Sequence, residues 1–158
     1  MGGQCFIHCN CAQDYDNGYT AWVTGWGLTS SGHQSNILQK GDVTTMTKKQ
    51  CTSWPKKFKR YQITENMLCA QAEGIDSCKG DSGGPLAVWR RGRDRGYVQI
   101  GIVSWSFGCA KHYYPGVYTK LTALLPWLIK TIEGKHFRFV ENENSPKTRG
   151  GEGSKTQI

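Results

Sequence analysis

At 158 residues the chain has the length of one domain, enough to bury a real core. With 37% hydrophobic residues and 20 glycines its composition is globular and suits a turn-rich β protein, and no stretch approaches the ~20 apolar residues of a membrane-spanning helix. The net charge of +8 suits acidic partners or polyanions without identifying one, and no nucleic-acid-binding motif accompanies it.

Residues 1–19 carry little pattern. Cys5, Cys9, Cys11 and His8 are zinc-ligating types, but their spacing is not that of a standard site, and neither a metal nor any other cofactor is expected. Seven cysteines in a turn-rich chain point to an oxidising compartment, and the odd number leaves at least one thiol unpaired or paired outside the chain. The first residues hold no apolar run long enough for a secretory signal, and Phe6 stands where a myristoylation pattern wants Ser or Thr. Cysteine usage and missing signal reconcile if residues upstream of Met1 are absent from this sequence.

Thr20 to Leu28 mixes β-branched and aromatic residues and ends in glycines, which predicts a strand, and residues 35–47 form a second strand region. Cys51 and Cys69 bracket a segment with Lys56, Lys57, Lys59 and Arg60 at its heart. Leu86–Trp89 and Tyr97–Trp105 are predicted strands joined through a turn at Gly92–Gly96, a β-hairpin whose turn region adds a second basic cluster, Arg90 to Arg95. Both clusters are candidate exosites for acidic protein or sulfated polysaccharide, with solvated loops as the default. Thr122 is the predicted cap of a helix running to about Glu133, and Leu124, Leu125, Leu128, Ile129 and Ile132 give it an apolar face. Pro126 is tolerable there only near the first turn. From Lys135 to Ile158 the composition turns polar and glycine-rich, which predicts a disordered tail.

The chemistry concentrates in Asp76–Pro85, which reads Asp-Ser-Cys-Lys-Gly-Asp-Ser-Gly-Gly-Pro. The Ser82 hydroxyl is a poor nucleophile until a base takes its proton. Gly80, Gly83 and Gly84 allow a sharp turn, which can aim consecutive N–H groups into one concavity that holds a developing oxyanion. Asp81 is a carboxylate inside that turn and needs a cationic partner if buried.

This decapeptide resembles the nucleophile turn of the trypsin-like serine proteases of the chymotrypsin fold. Thr20–Leu28 resembles the first segment of that family's second barrel, and Ile63–Ala70 resembles the lead-in to the nucleophile. The likeness covers about residues 20 to 133. It implies an all-β fold, an antiparallel Greek-key β-barrel with a C-terminal helix, corresponding to the second half of a two-barrel protease. It makes Ser82 the catalytic nucleophile and the N–H groups of Gly80 and Ser82 the oxyanion hole. Asp76 lies at the floor of the specificity pocket, Ser104, Trp105 and Ser106 form one wall, and Gly116 forms the other. Asp81 is the carboxylate that pairs with the family's new N-terminus. Cys51–Cys69 and Cys78–Cys109 are the implied disulfides. The implied substrate is a protein or peptide with Arg or Lys before the cleaved bond, and the implied location is extracellular or secretory.

Four departures qualify the likeness. The family's catalytic histidine and aspartate belong to a first barrel with no counterpart here. His33, His112 and His136 lack the family context, and His8-Cys9 echoes the family's His-Cys pair without its surroundings. The chain is therefore expected to be inactive alone, with a silent binding module as the alternative. Without the ammonium partner of Asp81, the turn and its oxyanion hole are expected to shift. Ser106 replaces a usual glycine and is expected to crowd the pocket mouth. A further family bridge is missing at both ends, at Ala21 and Val88, as if replaced by apolar packing.

Overall fold

A computed structural model describes residues 15–53, 62–91, 95–111 and 114–134. The N-terminal cysteines with His8, the Lys56–Arg60 cluster, His112, His136 and the predicted tail lie outside the described residues. In chain order the elements are β1 (Thr20–Gly25), β2 (Gln39–Met46), α1 (Lys48–Cys51), β3 (Met67–Gln71), β4 (Pro85–Arg90), β5 (Gly96–Trp105), β6 (Gly116–Lys120) and α2 (Leu121–Gly134).

The strands follow from period-two burial. Ala21 and Val23 of β1, Val43 and Thr45 of β2, and Leu86 and Val88 of β4 are buried, while the residues between them face outward. The buried set, with Leu68, Ala70, Ile100, Val103 and Tyr118, fills one core. Around it the strands close into an antiparallel barrel in the order β1-β2-β3-β6-β5-β4. Closure leaves no sheet edge exposed. Ala21 and Val88 are direct cross-strand partners and both lie in the core, so apolar packing occupies the place of the missing bridge. A smaller cluster gathers Ile63 and Val117 around the Cys51–Cys69 disulfide.

Two helical details differ from expectation. The short α1 was not predicted, yet its signal is in the sequence: the Thr47 hydroxyl and the Gln50 side chain cap each other's backbone N–H groups. α2 begins at Leu121, directly after β6, so Thr122 lies inside the helix rather than at its cap. That start puts Pro126 just past the first turn, where it forgoes one helical hydrogen bond.

Candidate active site

Strand direction alternates around the ring, so the loops that follow β1, β3 and β5 all leave the barrel at one end. These are residues 26–38, 72–84 and 106–115. The middle loop carries the Asp76–Pro85 stretch, and its two neighbours hold it in place. Leu28 N–H donates to the Lys79 carbonyl at 2.9 Å. The Cys78–Cys109 disulfide joins the second loop to the third. Gly83 N–H donates to the Val103 carbonyl at 3.0 Å, and Val103 N–H to the Gly84 carbonyl at 2.9 Å.

These bonds decide where the remaining N–H groups point. The carbonyl and N–H of a trans peptide point in opposite directions, and no described peptide is cis. Fixing the Lys79 carbonyl on Leu28 therefore turns the Gly80 N–H away from the scaffold. Gly80 adopts φ +99° and Gly83 φ +84°, conformations that a Cβ would oppose. The N–H groups of Cys78, Asp81, Gly83 and Gly84 are all spent within the protein. Those of Gly80 and Ser82 are donated to no acceptor among the described residues. Ser82 itself is exposed.

Asp81 holds the turn from inside. Its Oδ1 accepts from Gly27 N–H at 2.7 Å and its Oδ2 from Cys78 N–H at 2.9 Å. Two backbone dipoles stand where a cation was thought necessary. Room for the carboxylate comes from glycine: a Cβ on Gly25 would lie 2.0 Å from Asp81 Oδ1, and one on Gly27 would lie 2.5 Å from its carboxyl carbon. Gly25 and Gly27 are site residues that the sequence reading missed, although their Gly-x-Gly spacing was in view.

Asp76 sits differently. Its Oδ2 accepts from Ala110 N–H at 3.2 Å, and its Oδ1 would lie 2.8 Å from a Cβ placed on Gly116. Burial pushes the Asp76 carboxyl up to about 6, against the pull of the Ala110 and Ser77 hydrogen bonds. Buried Ser77 and Tyr118 share this corner, and burial raises the Tyr118 phenol to about 12. Ala110 takes φ +53°, which residues with a Cβ rarely adopt, and it supplies the backbone donor to Asp76.

Between the loops opens a cavity of about 380 Å³ that reaches both carboxylates, bordered by Gly25, Gly27, Ser77 and Ala110 among others. The structure thus brings Asp76, Asp81 and Gly80 together on one loop and sets Gly116 against Asp76. Ser104, Trp105, Ser106 and Gly116 do not line this cavity. Ser104 is exposed, and Trp105 packs edge-on against Phe107 with centroids 5.5 Å apart. The Ser106 hydroxyl donates to the Gly108 carbonyl at 2.6 Å, which turns the side chain back onto its own loop. Of the histidines, only His33 lies within the described residues; it is exposed, and no described hydrogen bond joins a histidine to Ser82.

A closed six-stranded antiparallel barrel with its active-site loops at one end and a helix after the last strand is a barrel of the chymotrypsin fold. The chain belongs to the trypsin family of serine proteases: the family's profile, Trypsin, matches residues 6–128. The match takes in residues ahead of Thr20, where the resemblance described above begins. Trypsin alpha of Drosophila melanogaster is 43% identical over 117 residues, covering 73% of this chain and 43% of that protein. Trypsin delta of the same fly is 44% identical over 115 residues, covering 72% and 42%. Transmembrane protease serine 9 of Rattus norvegicus is 40% identical over 113 residues, covering 70% of this chain and 10% of the relative. The chain spans less than half the length of the curated relatives it matches. No helix among the described residues is long and apolar enough to cross a membrane.

Proposed function

We propose that this barrel is the nucleophile and specificity half of a serine endopeptidase that cleaves proteins or peptides after Arg or Lys. The observation that carries the reading is the pair of uncommitted N–H groups, Gly80 and Ser82, beside the exposed Ser82 hydroxyl. The substrate's cationic side chain reaches Asp76 through the cavity between the loops, and the missing side chain of Gly116 leaves the carboxylate its room. Ser82 Oγ then attacks the scissile carbonyl carbon while its proton passes to a base. The carbonyl oxygen becomes anionic facing the two N–H groups, which stabilise it more than they stabilise the substrate. Collapse expels the amine, which takes the proton, and leaves an acyl group on Ser82. Water then attacks that ester and restores the hydroxyl.

The base and its orienting carboxylate belong, in this reading, to a first barrel in a longer product or a separate chain. Residues 20–134 form the second barrel unit, and alone it is catalytically silent. The exposed apolar residues Ile37, Leu38 and Trp127 fit a surface that a further barrel covers. The two disulfides agree with an extracellular or secretory location.

Labelling with a fluorophosphonate, followed by peptide mapping, tests this. The isolated chain is expected to stay unlabelled at Ser82, and a form carrying a first barrel is expected to react. Reaction of the isolated chain at a protease-like rate would overturn its silence. Failure of both forms would favour the second reading, a pocket-bearing binding module.

A further inference from the structure

The outward faces of β1, β4 and β5 carry three aromatic rings that the core does not use. Strand alternation sends Ala21, Val23 and Val88 inward and leaves Trp22, Trp89 and Tyr97 outside. Trp89 stands opposite Tyr97 across the β4–β5 pair, and Trp22 opposite Ala87 across β1–β4. The Tyr97 ring meets both indoles edge to face, 5.4 Å from Trp22 and 4.9 Å from Trp89. Trp89 is 45% exposed and Tyr97 67%. The Lys40 ammonium lies 5.3 Å over the Trp22 ring, where it is shared with Asp42 at 3.1 Å. Beside the rings opens a groove of about 510 Å³, bordered by Tyr19, Trp22, Trp89, Arg90 and Arg91.

An exposed aromatic patch with a charged rim marks an interaction site, and Trp, Tyr and Arg dominate binding energy at protein interfaces. The closed barrel offers no sheet edge here, so a partner binds through side chains rather than by adding a strand. Asp42 offsets Lys40, so the rim's cationic character rests on the hairpin arginines, of which Arg91 and Arg95 are exposed. On a chain of net charge +8 that rim selects carboxylates. The rings pack edge to face against one another, so they present no single flat platform for a sugar face, and the groove beside them takes a side chain instead.

We propose that this face is an exosite for an acidic polypeptide segment, which lays an apolar side chain in the groove against the rings and sets its carboxylates against Arg91 and Arg95. The groove shares no bordering residue with the cavity at Asp76 and Asp81, so a bound segment leaves that cavity open. The proposal stands whether or not Ser82 is a working nucleophile.

The test uses the full chain and a fluorescein-labelled random copolymer of glutamate and tyrosine, read by anisotropy. Polyglutamate and heparin serve as comparison probes. The copolymer is expected to bind tighter than polyglutamate, and Trp89→Ala or Tyr97→Ala to weaken it by about 10- to 30-fold. Arg91→Glu, at an exposed position that leaves the core alone, is expected to weaken both polypeptides and to flatten their salt dependence. If Trp89→Ala does not fold, Tyr97→Ala and Arg91→Glu carry the test. Parent-like copolymer binding by these variants overturns the proposal. So does a chain that takes heparin and ignores the copolymer.

Discussion

Two carboxylates five residues apart on one loop meet opposite surroundings. Asp81 is gripped at both oxygens by backbone N–H groups, in a space that Gly25 and Gly27 leave for it. Asp76 takes a longer bond from Ala110 N–H, at 3.2 Å, with further hydrogen bonds from Ser77, and burial outweighs them all and raises its carboxyl to about 6. A carboxylate satisfied by the scaffold is a structural pin. A half-buried one whose desolvation outweighs its donors is receptive to a cation brought from outside, because that cation stabilises the charged form.

The largest expected effect comes from breaking the Asp81 side of this contrast. Gly27→Ala drives a methyl to 2.5 Å from the Asp81 carboxyl carbon, against an inflexible turn. Destabilisation of about 3 kcal/mol or more is expected in urea or thermal unfolding. Asp81→Ala alone strands two backbone donors, for about 1–3 kcal/mol. The double variant should be clearly more stable than the sum of the two losses predicts, because removing the carboxylate makes room for the methyl. Additive losses would mean that the glycines serve something other than Asp81.

Next comes the Asp76 side. An arylamidinium, a compact mimic of the arginine head, should bind the parent more tightly as pH rises through about 6, where the carboxyl ionises. Asp76→Asn should cost about 30-fold or more in that affinity and remove its pH dependence. For the free protein the sign is reversed. The folded carboxyl keeps its proton from the ordinary 3.8 up to about 6, while the unfolded chain has released it. Stability from this group is therefore fully present below that window and falls as pH rises through it. Asp76→Asn should flatten that slope, which denaturation series at pH 4 and pH 7 would measure. Gly116→Ala should reduce amidinium binding by a smaller factor, about 10-fold, through a methyl 2.8 Å from Asp76 Oδ1.

The two aspartates also mark what sequence could reveal. Single strands were legible from local composition, as in the β-branched and aromatic run Thr20–Leu28, but the barrel was legible only through the family resemblance, as was the pairing of Ala21 with Val88, which followed from noticing two absent cysteines. Asp81 was legible as a residue but not as a contact. Its partner Gly27 lies 54 residues away, and the chain does not advertise that backbone donors can replace a cation. The roles of Ser77, Ala110 and Tyr118 around Asp76 depend on two loops and strand β6 converging, which only strand order around a closed ring reveals. The Ser106 side chain was expected to crowd the pocket, because no local rule foretold that its hydroxyl would turn back to Gly108.

That hydroxyl offers the smallest and most selective probe of the comparison. The Ser106–Gly108 bond braces the loop whose Ala110 N–H donates directly to Asp76, and it meets the Cys78 donor of Asp81 indirectly, through the Cys78–Cys109 disulfide. Ser106→Gly removes one exposed hydrogen bond and frees the backbone, so global stability should fall by no more than about 1 kcal/mol. A looser Ala110 donates less to Asp76, and the Asp76 carboxyl should titrate slightly higher, while carboxyl NMR shifts of Asp81 stay put. Amidinium affinity at pH 8, where Asp76 is ionised in either protein, should change by less than about twofold. Movement of both aspartates together would mean that the 76–84 loop responds as one rigid piece, and that the different hold on its two carboxylates does not extend to the loops around them.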